Sequence, residues 1–372
     1  MVKFLHISDL HLGKRLRGFS LLEDQRDFLF EKTIPLLKEK GIDILVIAGD
    51  IYDLPSPSQD AVVLLDKFLT ACAKEDIRVL MIPGNHDSSL RLSYGSHLFQ
   101  DKGIHIVTDL QDALKPIEID GARFYLLPFF KHHDVNGLFD ESFKDYASAM
   151  EFLIKKMELN HDFVNILVAH QLVLPSKGEL EFGGSEEVVV GNVGNIPSSL
   201  FQDFDYVALG HIHKQQKVGE NAFYCGSPIK YHVDEFKHKK DFYIVSVDSN
   251  KVIIDQIPIH ALHELRVLEG NYIDIIALPP SEDYIYVRLL DSSYIENAMD
   301  AIRDTVFPRC LGLEYPNIGS LAAEEESVPA FDAEHPEDLF PKFYDMVMGQ
   351  ELTQFQRDVV SETLEQSKEG QR

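Results

Sequence analysis

The chain has 372 residues, is 45% hydrophobic, and carries 61 acidic against 35 basic side chains for a formal net charge of −26. That length exceeds one small core, so a large catalytic domain with one or two appendages is expected. A chain this acidic is not built to grip nucleic acid through its own surface, which is normally basic, unless bound cations or a basic partner offset the charge. From Tyr315 onward there are 13 acidic and four basic residues, so most of the charge lies elsewhere. No apolar run reaches the roughly 18–20 residues that span a bilayer. Met1-Val2-Lys3-Phe4-Leu5-His6 enters a strand directly, without the features of a secretory leader. Cys72, Cys225 and Cys310 are too scattered for a disulfide framework or a cysteine metal site. A cytoplasmic protein with no membrane attachment is expected.

Short β-branched runs alternate with amphipathic stretches, which signals an α/β fold. Strands are predicted at Val2–Ile7, Ile42–Ala48 and Ile77–Ile82, with helices over Leu21–Lys40 and Ser58–Glu75 between them. The second strand is nearly continuous apolar, as when both faces are covered. Further strands are predicted at Arg123–Leu127, Asn165–Ala169, Tyr206–Leu209, Ala222–Cys225, Asp241–Val247 and Lys251–Ile257, the last two joined by an Asp248-Ser249-Asn250 turn. Beyond Pro258, strands at Leu262–Glu269, Tyr284–Leu290 and Cys310–Tyr315 and a helix at Ser293–Phe307 read as a small α+β module, residues 261–320. Residues 321–336 are acidic and contain two prolines, a linker composition. Amphipathic spacing resumes in 337–372 with Leu339, Phe343, Val347, Leu352, Phe355 and Val359.

Five short motifs end predicted strands: Asp9-Leu10-His11, Gly49-Asp50-Ile51-Tyr52-Asp53, Gly84-Asn85-His86-Asp87, Ala169-His170 and Gly210-His211-Ile212-His213. In an open α/β sheet, ligands bind at the carboxyl ends of the strands, so all five point at one place. Carboxylate oxygens and imidazole nitrogens together suit manganese, iron or zinc. Asp9 and His11 can turn toward one ion, as can His211 and His213. Asp50, with two oxygens, can bridge ions roughly 3.5–4 Å apart. Each motif alone is weak; five in this order require five coincidences to mean nothing.

In this order the motifs resemble the calcineurin-like metallophosphoesterase superfamily, whose fold is a β-sandwich flanked by helices. The run Phe4–Gly13, and Gly210–His213 followed by Cys225-Gly226-Ser227-Pro228-Ile229, are similar to the SbcD family, nuclease subunits of bacterial SbcC–SbcD complexes. The resemblance implies a catalytic domain over 1–260, a capping domain over 261–320 that orients DNA and restricts access, and a helical tail over 337–372. It implies two divalent ions, manganese by preference. One would be held by Asp9, His11, Asp50 and His213, the other by Asp50, Asn85, His170 and His211. His86 matches the catalytic histidine, and Asp87 either orients it or caps the next helix. Asp53 stands where some relatives carry a histidine.

The implied activity is DNA exonuclease and endonuclease action in recombination and repair, with an SbcC-type ATPase docked on the tail and a homodimer of the nuclease subunit. Lys14, Arg15 and Arg17 after the first motif, and Arg91 after the third, are the candidate DNA contacts. Lys237, Lys239 and Lys240 read as an exposed basic run. A phosphatase or cyclic-nucleotide phosphodiesterase on the same metal core is the alternative enzyme, since the five motifs are common to both.

Overall fold

Strands that are apolar on both faces need a covering layer on each side, and the strand order supplies both layers. The computed structural model describes residues 1–175, 178–182, 184, 195–248, 251–318, 353, 354, 356, 357 and 360. The chain divides into two bodies, Met1–Leu289 with Ile295–Glu314, and Leu290–Tyr294 with Tyr315–Arg372.

The first body holds two six-stranded sheets. In one, Val2–Ile7 lies between Asp241–Asp248, antiparallel, and Ile44–Ala48, parallel, with Arg78–Ile82 and Ile104–Ile106 continuing the parallel run and Lys251–Pro258 closing the other edge. In the other, Ala122–Leu127, Val164–His170, Tyr206–Gly210 and Ala222–Tyr224 run parallel, and Ile117–Ile119 and Gln216–Lys217 pair antiparallel at the two edges.

Alternation along each strand then sorts the core. Phe4, Ile44, Val46, Leu80 and Ile82 face the second sheet and pack with Phe124, Ile166, Val168 and Tyr206. Leu5, Leu45, Ile47, Val79 and Met81 point outward under the helices. The first helical region runs from Leu22 to Lys40 and passes through a π-helical turn at Phe28–Thr33. There Thr33 Oγ1 donates to the Phe28 carbonyl (2.8 Å), and Pro35 follows, a residue that cannot supply the next N–H rung. The second helix, Gln59–Lys74, is capped by Ser58, whose hydroxyl accepts from the Ala61 N–H. The outer face of the second sheet is covered by His132–Phe139 and Tyr146–Lys156, two helices that the sequence reading did not name.

After Pro258 the chain forms a β-α-β-α-β unit. Leu265–Gly270, Tyr284–Leu289 and Cys310–Glu314 pair in parallel, with Tyr272–Ile276 and Ala298–Thr305 as the crossovers. The second crossover is shorter than the expected Ser293–Phe307 because Asn297 sits in the left-handed region at φ 54°. This unit packs on the segment that follows the first metal motif: Leu16 and Leu21 join Leu265, Tyr284 and Leu311 in one cluster. Buried Asp24 accepts from the Tyr284 hydroxyl (2.9 Å) and the His263 main-chain N–H (3.0 Å) across the same boundary.

In the second body the rings of Tyr294 and Tyr315 stand 5.1 Å apart, and Asn317 donates to the Leu290 carbonyl (2.9 Å). The linker expected at 321–336 lies outside the described residues, as do Leu339, Phe343, Val347, Leu352, Phe355 and Val359 of the tail and Ser249 and Asn250 of the turn. Of the tail, residues 354, 356, 357 and 360 are helical.

Phe4 meets Phe124 and Tyr206 edge-to-face, each at 5.6 Å between ring centres, and is fully buried between the sheets. Phe4→Ala should lower unfolding stability by about 3–5 kcal/mol, measured as a shift in guanidinium midpoint without a change in slope.

Candidate metal centre

Both sheets aim their parallel carboxyl ends at one rim, so ligands from two layers meet. From the first sheet come Asp9 and His11 after Val2–Ile7, Asp50 after Ile44–Ala48, and Asn85 and His86 after Arg78–Ile82. From the second come His170, which ends Val164–His170, and His211 and His213 after Tyr206–Gly210. Asp9, His11, Asp50, His170 and His213 are all buried.

The loops that carry them are laced together by their backbones. Asp9 N–H donates to the Gly49 carbonyl (3.0 Å), His11 N–H to Asp50 (3.0 Å) and Leu12 N–H to Ile51 (2.9 Å). Asp9, His11, Asp50 and His211 all hold positive φ, at 54°, 42°, 50° and 104°. Backbone strain in non-glycine residues gathers where structure over-determines it, and functional sites are its usual address. At Gly84 a Cβ would overlap the Asp50 carboxylate, and at Gly49 (φ 88°) it would overlap the His170 ring.

Donor atoms converge. Asp50 Oδ2 lies 3.4 Å from His170 Nε2 and 3.5 Å from His11 Nε2. Asn85 Oδ1 lies 3.1 Å from His170 Nε2 and 2.9 Å from His211 Nδ1. His11 Nε2 faces His213 Nε2 at 3.1 Å. Metal-type groupings within 4.8 Å form from Asp9, His11 and His213 and from Asp9, Asp50 and His170. A third joins His11, Asp53 and His86, which brings Asp53 to the cluster although the sequence reading left it out of the ligand set.

The ring tautomers fit cations. His170 Nδ1 lies 2.8 Å from the Ala48 carbonyl, which can only accept, so Nδ1 carries a proton and Nε2, turned to Asp50, is the nitrogen left to hold an ion. Mixed carboxylate, amide oxygen and imidazole donors at this density suit two borderline divalent ions and do not suit an all-oxygen calcium site.

Two family models match the chain: one described as calcineurin-like phosphoesterase over residues 2–215, and one described as type 5 capsule protein repressor C-terminal domain over residues 261–347. The SbcD subunit of the nuclease SbcCD from Staphylococcus saprophyticus is 32% identical over 364 residues, spanning 95% of each chain. Its counterpart from Staphylococcus epidermidis is 32% identical over 374 residues, spanning 98% of each. The chain belongs to the SbcD family. The fold expected from the motifs, a phosphoesterase α/β sandwich, is therefore the fold of this SbcD-family member, and its Asp and His clusters are positioned to hold divalent metal.

Beside that centre, His86 is held by two contacts. Its main-chain N–H donates to Asp50 Oδ1 (2.9 Å), and its Nδ1 lies 2.9 Å from the Asp53 carbonyl. The carbonyl forces the proton onto Nδ1, leaving Nε2 4.0 Å from Asp50 Oδ2 on a side chain that is 23% exposed. Asp87 neither touches the His86 ring nor caps the following helix, whose N-cap is Ser88. Its carboxylate accepts from the N–H groups of Ile51 (2.9 Å), Tyr52 (2.8 Å) and Gly84 (2.9 Å), stapling the second motif to the third. Burial and the nearby Asp50 charge push its carboxyl up to about 7 against those three donors.

Of the basic candidates, Lys14 donates to Asp53 Oδ1 (2.7 Å) and lies over the Tyr231 ring. Burial opposes ionisation of Asp53, but His11 and Lys14 hold it down at about 2. Arg15 is exposed and donates to the Gly18 carbonyl; Arg17 is exposed with its guanidinium 5.4 Å from the Tyr286 ring centre. Arg91 is exposed and donates to Ser56 Oγ (3.1 Å). Gln25 was missed by sequence reasoning: its amide donates to the His11 carbonyl (2.7 Å) and its oxygen accepts from Gly13 N–H (3.0 Å), pinning the first motif.

Two tests follow from this geometry. Burial lowers the His170 pKa, yet the Asp50 carboxylate overrides it and lifts the ring from 6.5 to about 9. A raised imidazole pKa contributes stability that is present below about pH 6.5 and lost as pH rises through about 9. In EDTA the wild-type melting temperature should fall between those values, and His170→Gln should flatten that decline. Gly84→Ala, which displaces Asp50, should abolish uptake of divalent ions in equilibrium dialysis.

Proposed function

We propose that the chain is the nuclease subunit of an SbcC–SbcD-type complex, hydrolysing DNA phosphodiesters at a two-ion centre that takes manganese, in the cytoplasm. The observation that carries this reading is the convergence of Asp9, His11, Asp50, Asn85, His170, His211 and His213 on one rim, in a chain that matches SbcD proteins along almost its whole length. In this reading Asp9, His11, Asp50 and His213 hold one ion, and Asp50, Asn85, His170 and His211 the other. When bound, the two ions supply Lewis acidity and a nucleophile at neutral pH.

The chain's own residues supply the rest. His86, with its proton fixed on Nδ1 by the Asp53 carbonyl, presents Nε2 at the edge of the cluster. As an imidazolium it donates a proton from Nε2 to the departing sugar oxygen and offsets charge on the phosphorane-like transition state. Asp87 acts on this step only through the backbone, by fixing the loop that carries His86.

The same proposal extends to partners and boundaries. Residues 1–260 form the catalytic domain, 261–320 the cap that borders the rim, and 337–372 the element that docks on the ATPase. The cap's packing on Leu16 and Leu21, just beyond the first motif, supports a role in orienting DNA. Arg15, Arg17 and Arg91 are exposed and available to phosphates, whereas Lys14 reaches them only by releasing Asp53. A homodimer of the nuclease subunit is supported by exposed Val62, Val63 and Tyr94, which line a groove of about 690 Å³.

Labelled linear and hairpin DNA with manganese tests the reading. Asp50→Ala should lose cleavage and ion uptake together. His86→Ala should keep both ions and lose about 10²–10⁴-fold in kcat. Rapid turnover of small cyclic phosphodiesters by the wild-type chain, with no DNA cutting even beside the ATPase, would leave the metal centre standing and sink the nuclease.

A further inference from the structure

Behind the ligand cluster lies a buried ion pair that the reaction described above does not use. Glu235 is 0% exposed and Lys240 7%. Lys240 Nζ lies 2.7 Å from Glu235 Oε2 and donates also to Ser227 Oγ (2.7 Å) and the His213 carbonyl (3.0 Å). The other carboxylate oxygen, Oε1, faces His213 Nδ1 at 3.4 Å and accepts from the Tyr231 N–H (3.3 Å). The Tyr231 hydroxyl donates to the Leu10 carbonyl (2.6 Å), and its ring stands edge-on to His11 and His213 at 5.2 and 5.5 Å.

A buried ion pair is a weak stabiliser, because desolvating both charges offsets most of their attraction. Stability is therefore a poor account of this one, and its geometry offers a better one. A carboxylate can only accept, so the proton on His213 lies at Nδ1, and Nε2 keeps its lone pair toward the cluster of Asp9, His11 and His213. A carboxylate behind a ligating imidazole fixes its tautomer and direction and raises its basicity.

We propose that Glu235, held by Lys240, is a positioning residue that sets the tautomer and ring direction of His213 and so the affinity of one of the two ions. This inference rests on the two-ion reading above. It separates Lys240 from Lys237 and Lys239, its neighbours in sequence, which share its charge but do not turn inward to Glu235.

The test is a manganese titration of the full chain, read from the electron paramagnetic resonance signal of free Mn²⁺, with melting in EDTA as the check on folding. Glu235→Gln/Lys240→Met removes both charges at once and leaves no buried charge unpaired. One of the two sites should weaken about 10–100-fold while the other keeps its affinity. Wild-type affinity at both sites in the folded double variant overturns the proposal. Should that variant not fold, Glu235→Asp decides on the same readout: it keeps the charge against Lys240 and withdraws the carboxylate from Nδ1. One weakened site then supports the proposal and two unchanged sites overturn it. A wild-type chain that takes up fewer than two ions overturns the two-ion reading, and this inference with it.

Discussion

A carboxylate that is 2% exposed cannot stay ionised unless something meets it, and at Asp50 three imidazoles and a main-chain N–H do so. His170 and His11 stand at 3.4 and 3.5 Å, His86 at 4.0 Å, and together they keep the carboxyl far below its ordinary range although burial pulls it upward. The same crowding requires the backbone to bend tightly. Four residues of the first, second and fifth motifs take positive φ, and glycines 49 and 84 leave no room for a side chain. Such conformations persist only if the surroundings hold them. Here the restraint is the lacing of one loop to the next: Asp9 to Gly49, His11 to Asp50, Leu12 to Ile51, and Asp87 across three N–H groups. His11 Nε2 and His213 Nε2 face each other at 3.1 Å, two nitrogens placed where one cation could draw on both.

What could be read from the sequence was whatever depends on spacing along one strand. Val2–Ile7, Ile44–Ala48 and Arg78–Ile82 were legible because burial on both faces demands unbroken apolar runs, and their ends named the candidate ligands because parallel strands deliver their last residues to a common edge. His170, His211 and His213 were expected at the same place from their position at strand ends; that they arrive on a separate second sheet follows from pairing two layers, which no local pattern encodes. The helices His132–Phe139 and Tyr146–Lys156 went unread for a related reason. Each is short and fully buries only a few side chains, Val135 in the first and Ala149, Met150 and Leu153 in the second. Asp87 shows the limit most clearly. Beside His86 in the chain it suggested an orienting partner or a cap, and the fold instead turns its carboxylate toward the backbone of a loop more than 30 residues away.

Lys240 makes the same point with charge. In sequence it belongs to a basic run that looks solvated, yet the strand Asp241–Asp248 begins at the next residue and carries it into the interior. There it faces Glu235, which lies in a one-turn segment, Val233–Lys237, preceded by His232. Two charged residues five apart, read singly, have no reason to be linked to His213, more than 20 residues earlier. The link exists because Tyr231, Glu235 and Lys240 close over the back of the cluster while the following unit covers Tyr231 from the other side, through Leu265, Tyr284 and Leu311.

The charge of −26 takes on a different meaning once these pairings are counted. Lysines near the rim are already engaged: Lys14 with Asp53, Lys240 with Glu235, and Lys230 with Glu264. A chain that gripped phosphates through its own lysines would leave those heads in water. Here they neutralise carboxylates of the same chain, whereas arginines 15, 17 and 91 are exposed. Acidity is thus compatible with a phosphodiester substrate, because a divalent-metal centre supplies attraction where the chemistry occurs. In a nuclease subunit, lysines engaged in this way are not free for sequence-independent contacts with phosphates.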